Sequence, residues 1–268
     1  MHPDVRQYLA ELVDRARDLL GDGLVGAYAA GSVGLDAYQP GRSDVDVALV
    51  SADTLSGATK RALVAALRHE ALPCPARGLE LVAYRREVAA AGTAEPGFEV
   101  ELNTGRAMPF RATYAADDRP AADGRFWYAL DRSILHQHGY ALLGPPAATV
   151  FADVSPADLR RLLVDALTWW LARPGPPGDA PAPGAEDAVL GACRALVRVR
   201  HGVWLSKVDA GRRLLAVDGL GFAAGATDGY ADLIERCVAA RRGGPPPGGR
   251  AAREFQRGVL DEIRRAAL

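Results

Sequence analysis

The sequence predicts an α/β domain of the α+β kind, built on a mixed sheet, followed by an all-α helical bundle. Three observations lead there. Residues 1 to 146 alternate helical and strand-like periods, residues from 147 onward keep a helical period alone, and the break Gly144-Pro145-Pro146 lies between them. The expected domains are therefore 1–146 and 147–268.

Taken in order, Val5, Leu9, Leu12, Val13 and Leu19 recur at helical spacing among charged residues, so residues 3–20 form an amphipathic helix. Leu24 to Ala30 is an apolar run of the length of a buried strand. It meets Gly31-Ser32. A turn containing Gly41 then leads into Ser43-Asp44-Val45-Asp46-Val47-Ala48-Leu49-Val50, whose alternation is that of a second strand. Gly57 to Ala71 reads as a helix stopped by Pro73 and Pro75. Strands are expected at Gly78–Tyr84 and Phe98–Asn103, and a helix at 125–139. Helices then follow at Pro156–Leu171, Asp187–Lys207, Asp209–Ala216, Thr227–Arg242 and Arg250–Leu268. Two stretches rich in proline and glycine, Arg173 to Glu186 and Arg242 to Gly249, read as exposed loops.

Composition narrows the function. The 268 residues carry a formal charge of −1, with −4 on residues 1–150 and +3 on the remainder, so nothing draws the chain to nucleic acid. Cys74, Cys193 and Cys237 are isolated, odd in number and far from any CxxC spacing, which argues against a disulfide framework and a zinc site. The N-terminus lacks a signal-peptide core, and no apolar run reaches the ~18 residues of a membrane span. A cytoplasmic protein is expected; monomer and homodimer both remain open.

The chemistry is concentrated between Gly31 and Val50. Residues i and i+2 of a strand share a face, so Asp44 and Asp46 stand side by side while Val45, Val47 and Leu49 point to the core. Two such carboxylates repel each other, and oxygen ligands without histidine or cysteine point to Mg²⁺. Gly31 lets backbone approach a ligand closely, and the Ser32 hydroxyl can meet phosphate oxygens. There is no G-x-x-x-x-G-K-[ST], and GSVG is not a G-x-G-x-x-G. Glu80, on the next expected strand, can complete a metal site or accept a proton. Glu101 reads as a solvated strand charge. His136 and His138 lie two apart on a helix, hence on different faces, and do not form a metal pair.

A GS turn followed by a DxD strand looks like the signature of the nucleotidyltransferase superfamily. The chain further resembles the aminoglycoside nucleotidyltransferases, in particular the streptomycin/spectinomycin adenylyltransferase group. The likeness runs through GS to SDVDV, GLELVAY, LHQHGYALLGPP, DALTWW, and Arg194 followed by Ser206-Lys207. It implies Mg²⁺-dependent transfer of AMP from ATP to a hydroxyl of such an antibiotic, and thus resistance. Asp44, Asp46 and Glu80 match the metal-binding carboxylates, Glu80 being also the catalytic base. Ser32 and Ser43 match nucleotide contacts, Lys207 a lysine that reaches the ATP phosphates, and Arg194 a matching arginine.

The resemblance departs in two places. An acidic nucleotide contact falls on Trp127, with Asp131 one turn later on the same face. One substrate-contacting carboxylate falls on Gly184, with Glu186 and Asp187 close by as replacements and Asp179 as a further acidic candidate. Trp170 is divided between bundle core and the wall of a sugar-binding cleft, and a cleft between the domains is where a substrate is expected to lie. Two rivals remain: transfer to a protein or RNA acceptor, and a nucleotide-binding, antitoxin-like module without turnover.

Overall fold

The computed structural model describes residues 1–173, 178–218 and 227–265. They divide into two compact units, Met1–Ser155 and Pro156–Leu268. Part of the expected Arg173–Glu186 loop and the last three residues of the expected C-terminal helix lie outside the described residues.

The first unit is a six-stranded mixed sheet: β1 (Leu24–Ala29), β2 (Val45–Ser51), β3 (Leu79–Arg85), β4 (Phe98–Gly105), β5 (Met108–Thr113) and β6 (Tyr140–Leu143), in the order β5-β4-β3-β2-β1-β6. Among these neighbours β2 and β3 alone run parallel. A parallel pair needs a crossover, and α3 (Gly57–Leu67) supplies it. Ser56 caps that helix by accepting the Thr59 N–H at 3.1 Å, a contact worth about 1 kcal/mol.

Both faces of the sheet are covered. On one, Val45, Val47 and Leu49 pack with Leu79, Leu81, Val100 and Leu102 against α3 and α1 (Pro3–Leu20), whose Val5, Leu9, Leu12, Val13 and Ala16 return every three or four residues. On the other, Tyr28, Ala48, Val50, Tyr84 and Phe98 pack with Tyr128 and Leu135. Those last two lie on α5 (Trp127–His138), which the short turns α2 (Gly31–Gly34) and α4 (Arg86–Ala90) precede in the chain and which a third, α6 (Ala147–Val150), follows after β6. Asp46, Glu80 and Glu101 share this second face with it.

The structure departs from the sequence reading at several points, one being the helix expected over Asp187–Lys207, which ends at His201 while Lys207 begins another. Met108–Thr113 and Tyr140–Leu143 are edge strands, where Pro109 in the first and the shortness of the second had hidden the pattern. The unit boundary falls at Ser155/Pro156 and not at Pro146/Ala147. Phe151 explains the shift: it is buried edge-on against Tyr28, with ring centroids 5.2 Å apart, and Ala147 and Val150 join the same core. Gly144 to Pro146 is a turn inside the first unit, tied down by the Tyr28 hydroxyl donating to the Pro145 carbonyl at 3.0 Å.

The second unit is helical: α7 (Pro156–Ala172), α8 (Ala185–His201), α9 (Lys207–Arg213), α10 (Thr227–Ala240) and α11 (Gly249–Arg265). α8 is central, contacting each of the other four, and buries Val189, Leu190, Cys193, Leu196 and Val197. Among the described residues no helix is long and apolar enough to cross a membrane.

Candidate active site

Strand register builds the site. Asp46 pairs with Glu80, Glu80 with Asn103, and Asn103 with Arg111, so one polar row crosses β2, β3, β4 and β5. Directly opposed residues point to the same side of a sheet, and this row sits on the α5 face. Asp44 precedes β2 by one residue and is near enough to Glu80 for its charge to act there. Three expected carboxylates, Asp44, Asp46 and Glu80, are thereby brought to one end of the parallel pair.

Gly31 is required beside them for two reasons. Its φ of +51° is a left-handed conformation, and a Cβ there would lie 1.8 Å from Asp46 Oδ2. The Ala30 N–H also donates to the Asp46 carbonyl at 2.9 Å, which fixes the GS turn to β2. The neighbouring Ser32 Oγ is buried and has no hydrogen-bond partner. Such an atom costs free energy unless something binds it. Ser43 is differently placed, because its hydroxyl accepts the Gln39 N–H at 3.0 Å and closes the turn that precedes β2.

Charge accumulates around Glu80. Burial raises its pKa first, the carboxylates of Asp44, Asp131 and Glu101 raise it further, and Arg111 lowers it, leaving it pushed up to about 7. Asp131, exposed on α5, thus lies near enough for its charge to act on Glu80. Glu101 corrects the sequence reading: it is not solvated but buried, gripped by Arg119 through both oxygens at 2.9 and 2.8 Å, by Arg111 at 2.8 Å and by Thr113 at 3.0 Å. Arg111 therefore stands beyond Asn103 in the row, bonded to Glu101 and near enough for its charge to act on Glu80. Sequence reading missed it because β5 was not seen as a strand.

The donor chemistry suits Mg²⁺: the carboxylates of Asp46 and Glu80 on one face, that of Asp44 near Glu80, and the buried, unbonded hydroxyl of Ser32 beside Gly31. Among the described residues, however, no three His, Cys, Asp or Glu side chains converge into a group that could hold a metal ion. Holding an ion requires these carboxylates to turn toward one another.

In the second unit Lys207, Arg194, Glu186 and Asp187 belong to one neighbourhood of α8 and α9. Asp187 Oδ1 accepts from Lys207 Nζ at 3.1 Å and from Arg241 at 2.7 Å. Burial lowers the pKa of Lys207, Asp187 raises it, and Arg194 and Arg241 lower it again. Asp187 is thus engaged by the protein's own cations, and Glu186 is buried. Asp179 is held by both arms of Arg250 at 2.9 and 2.7 Å. Trp170 is 44% exposed and stands edge-on to Trp169, over which the Arg173 guanidinium stacks at 3.5 Å. His136 is satisfied structurally by the Phe151 carbonyl at 2.7 Å.

No family model matches the chain, and no curated protein matches it. The fold is nonetheless nucleotidyltransferase-like with a C-terminal helical region. Among the solved structures it is similar to is the crystal structure of a spectinomycin adenyltransferase from Enterococcus faecialis with ATP and spectinomycin, at a TM-score of 0.64 and 14% identity, covering 97% of this chain and 99% of that one. At that identity the likeness is one of fold.

Proposed function

We propose that the protein is a Mg²⁺-dependent nucleotidyltransferase that moves AMP from ATP to a hydroxyl of a small polycationic antibiotic of the streptomycin and spectinomycin class. The observation that carries this reading is the register pairing of Glu80 with Asp46, with Asp44 close enough to raise the proton affinity of Glu80. A carboxylate that binds protons near neutrality is suited to general-base work. The solved neighbour, which was crystallised with ATP and spectinomycin, supports the choice of substrates.

In the proposed reaction the acceptor oxygen attacks the α-phosphorus of ATP, the bond to the bridging oxygen breaks, and pyrophosphate leaves. Glu80 receives the proton that the hydroxyl loses. Mg²⁺, held by Asp44, Asp46 and Glu80, would supply charge neutralisation on the phosphates. Ser32 offers its unbonded hydroxyl to a phosphate oxygen, and Gly31 keeps backbone close to it. Ser43 shapes the second turn, Asp131 adds negative charge, and Lys207 and Arg194 are the proposed phosphate-binding cations of the second unit. A face carrying Asp44, Asp46, Glu80 and Asp131 favours a cationic acceptor.

The experiment is pyrophosphate release from ATP and Mg²⁺ across streptomycin, spectinomycin, other aminoglycosides and a neutral sugar. Release that depends on streptomycin or spectinomycin supports the reading. ATP turnover that none of these compounds stimulates would move the acceptor outside the class.

A further inference from the structure

We propose that Arg241 is a third cation of a polyphosphate-binding site in the second unit, and that Asp187 is its internal counter-ion, holding Lys207 and Arg241 in place until phosphate oxygens replace it. The inference rests on the reading of Lys207 and Arg194 as phosphate contacts. It adds a residue and gives Asp187 a different task from contacting the acceptor.

Three helices contribute. Asp187 and Arg194 lie seven residues apart on α8 and so on the same face, Lys207 opens α9, and Arg241 follows the last residue of α10. A single oxygen, Asp187 Oδ1, faces both the Lys207 ammonium at 3.1 Å and the Arg241 guanidinium at 2.7 Å. The Arg241 side chain is largely withdrawn from water, at 12% exposed, and that of Lys207 partly so, at 33%. Arg194 is near enough for its charge to act on Lys207. Two cations therefore share one carboxylate oxygen, with the charge of Arg194 acting on the first of them. The other ionised groups nearby, Glu186 and Arg236, are one of each sign and act with Asp187 at Cys237.

A structural ion pair needs one cation for each carboxylate, and holding a second cation on the same oxygen away from water is unfavourable without more negative charge. Asp187 also leaves the bonding of Arg241 incomplete, since its Nε is buried and has no hydrogen-bond partner. A chain of phosphates supplies several oxygens and several negative charges, matching a point-like ammonium beside forked guanidinium donors. The chemical class is a di- or triphosphate, and in the proposed reaction it is the polyphosphate of ATP.

The test is equilibrium binding of ATP and of inorganic tripolyphosphate to the full chain in EDTA, so that neither turnover nor the metal carboxylates enter. Arg241→Met should weaken both ligands by roughly tenfold and flatten the salt dependence, Arg241→Lys should recover most of the loss, and Asp187→Asn should tighten binding by about three- to tenfold. Thermal unfolding of each variant identifies any loss that comes from misfolding, and Arg241→Lys keeps the test decisive in that event. If Lys207→Ala weakens ATP binding but Arg241→Met and Arg241→Lys bind like the wild type, the role of Arg241 is overturned while the phosphate reading stands. If Lys207→Ala also binds like the wild type, that underlying reading fails. Weaker binding by a folded Asp187→Asn would overturn the counter-ion role.

Discussion

Asp46 and Glu80 are register partners on the parallel strands β2 and β3, so their backbones lie one strand spacing of about 4.8 Å apart with both carboxylates on the α5 face. Two acids held this close, with Asp44 beside them, strain the ion-free protein electrostatically. A cation or a proton relieves the strain, and the expectations below follow from that competition.

Asp46→Asn removes one of these clustered negative charges and keeps the shape of the side chain. The variant should fold with unchanged or slightly higher stability in EDTA, because like-charge repulsion falls. AMP transfer should be abolished. Denaturant unfolding and a turnover assay on the same sample check both halves, and activity that persists in EDTA would remove the metal from the account.

Glu80 should make the metal-free protein lose stability as pH rises. Its folded-state pKa of about 7 lies above the ordinary carboxylate value, so between pH ~4.5 and ~7 the native state binds more protons than the unfolded chain. Stability contributed by the proton is complete below that window and lost through it, amounting to about 1–2 kcal/mol after discounting for partial solvent screening. Glu80→Gln should flatten this slope, and added Mg²⁺ should stabilise the wild type more at pH 8 than at pH 5.5. Denaturant midpoints across pH, with and without the ion, measure both effects.

Gly31→Ala and Gly41→Ala form a matched pair. Both glycines have positive φ, +51° and +73°, so each alanine costs about 1–2 kcal/mol in backbone strain. Only at Gly31 does the new methyl group run into the Asp46 carboxylate, whereas at Gly41 nothing lies within 4 Å. Gly41→Ala should keep its turnover, and Gly31→Ala should lose more stability and nearly all activity. Equal losses in both would mean that the approach of Gly31 to Asp46 is incidental.

Much of the site was legible because its parts are local. The DxD pair depends on a two-residue period, and the GS turn announces itself by a glycine at the end of an apolar run. Glu80 stood out as the first charge on the next strand. What the chain order does not reveal is register: Asn103 and Arg111 join the row through cross-strand pairing, and Glu101 is neutralised by Arg119, eighteen residues away. The role of Asp187 was hidden for the same reason, since its partners Lys207 and Arg241 arrive from two other helices. Arg241 sits beside Arg242-Gly243-Gly244, where a reader of sequence expects solvated loop charge.

The measurement that bears most directly on nucleotidyl transfer at the carboxylate row follows label from ATP carrying it on the α-phosphate, with Mg²⁺ and streptomycin or spectinomycin. In the wild type, labelled AMP should appear on the antibiotic with one pyrophosphate released for each transfer. Asp46→Asn should give none, and Glu80→Gln should be slower by roughly two to four orders of magnitude with ATP still bound. Transfer by folded Asp46→Asn and Glu80→Gln at the wild-type rate would contradict the account.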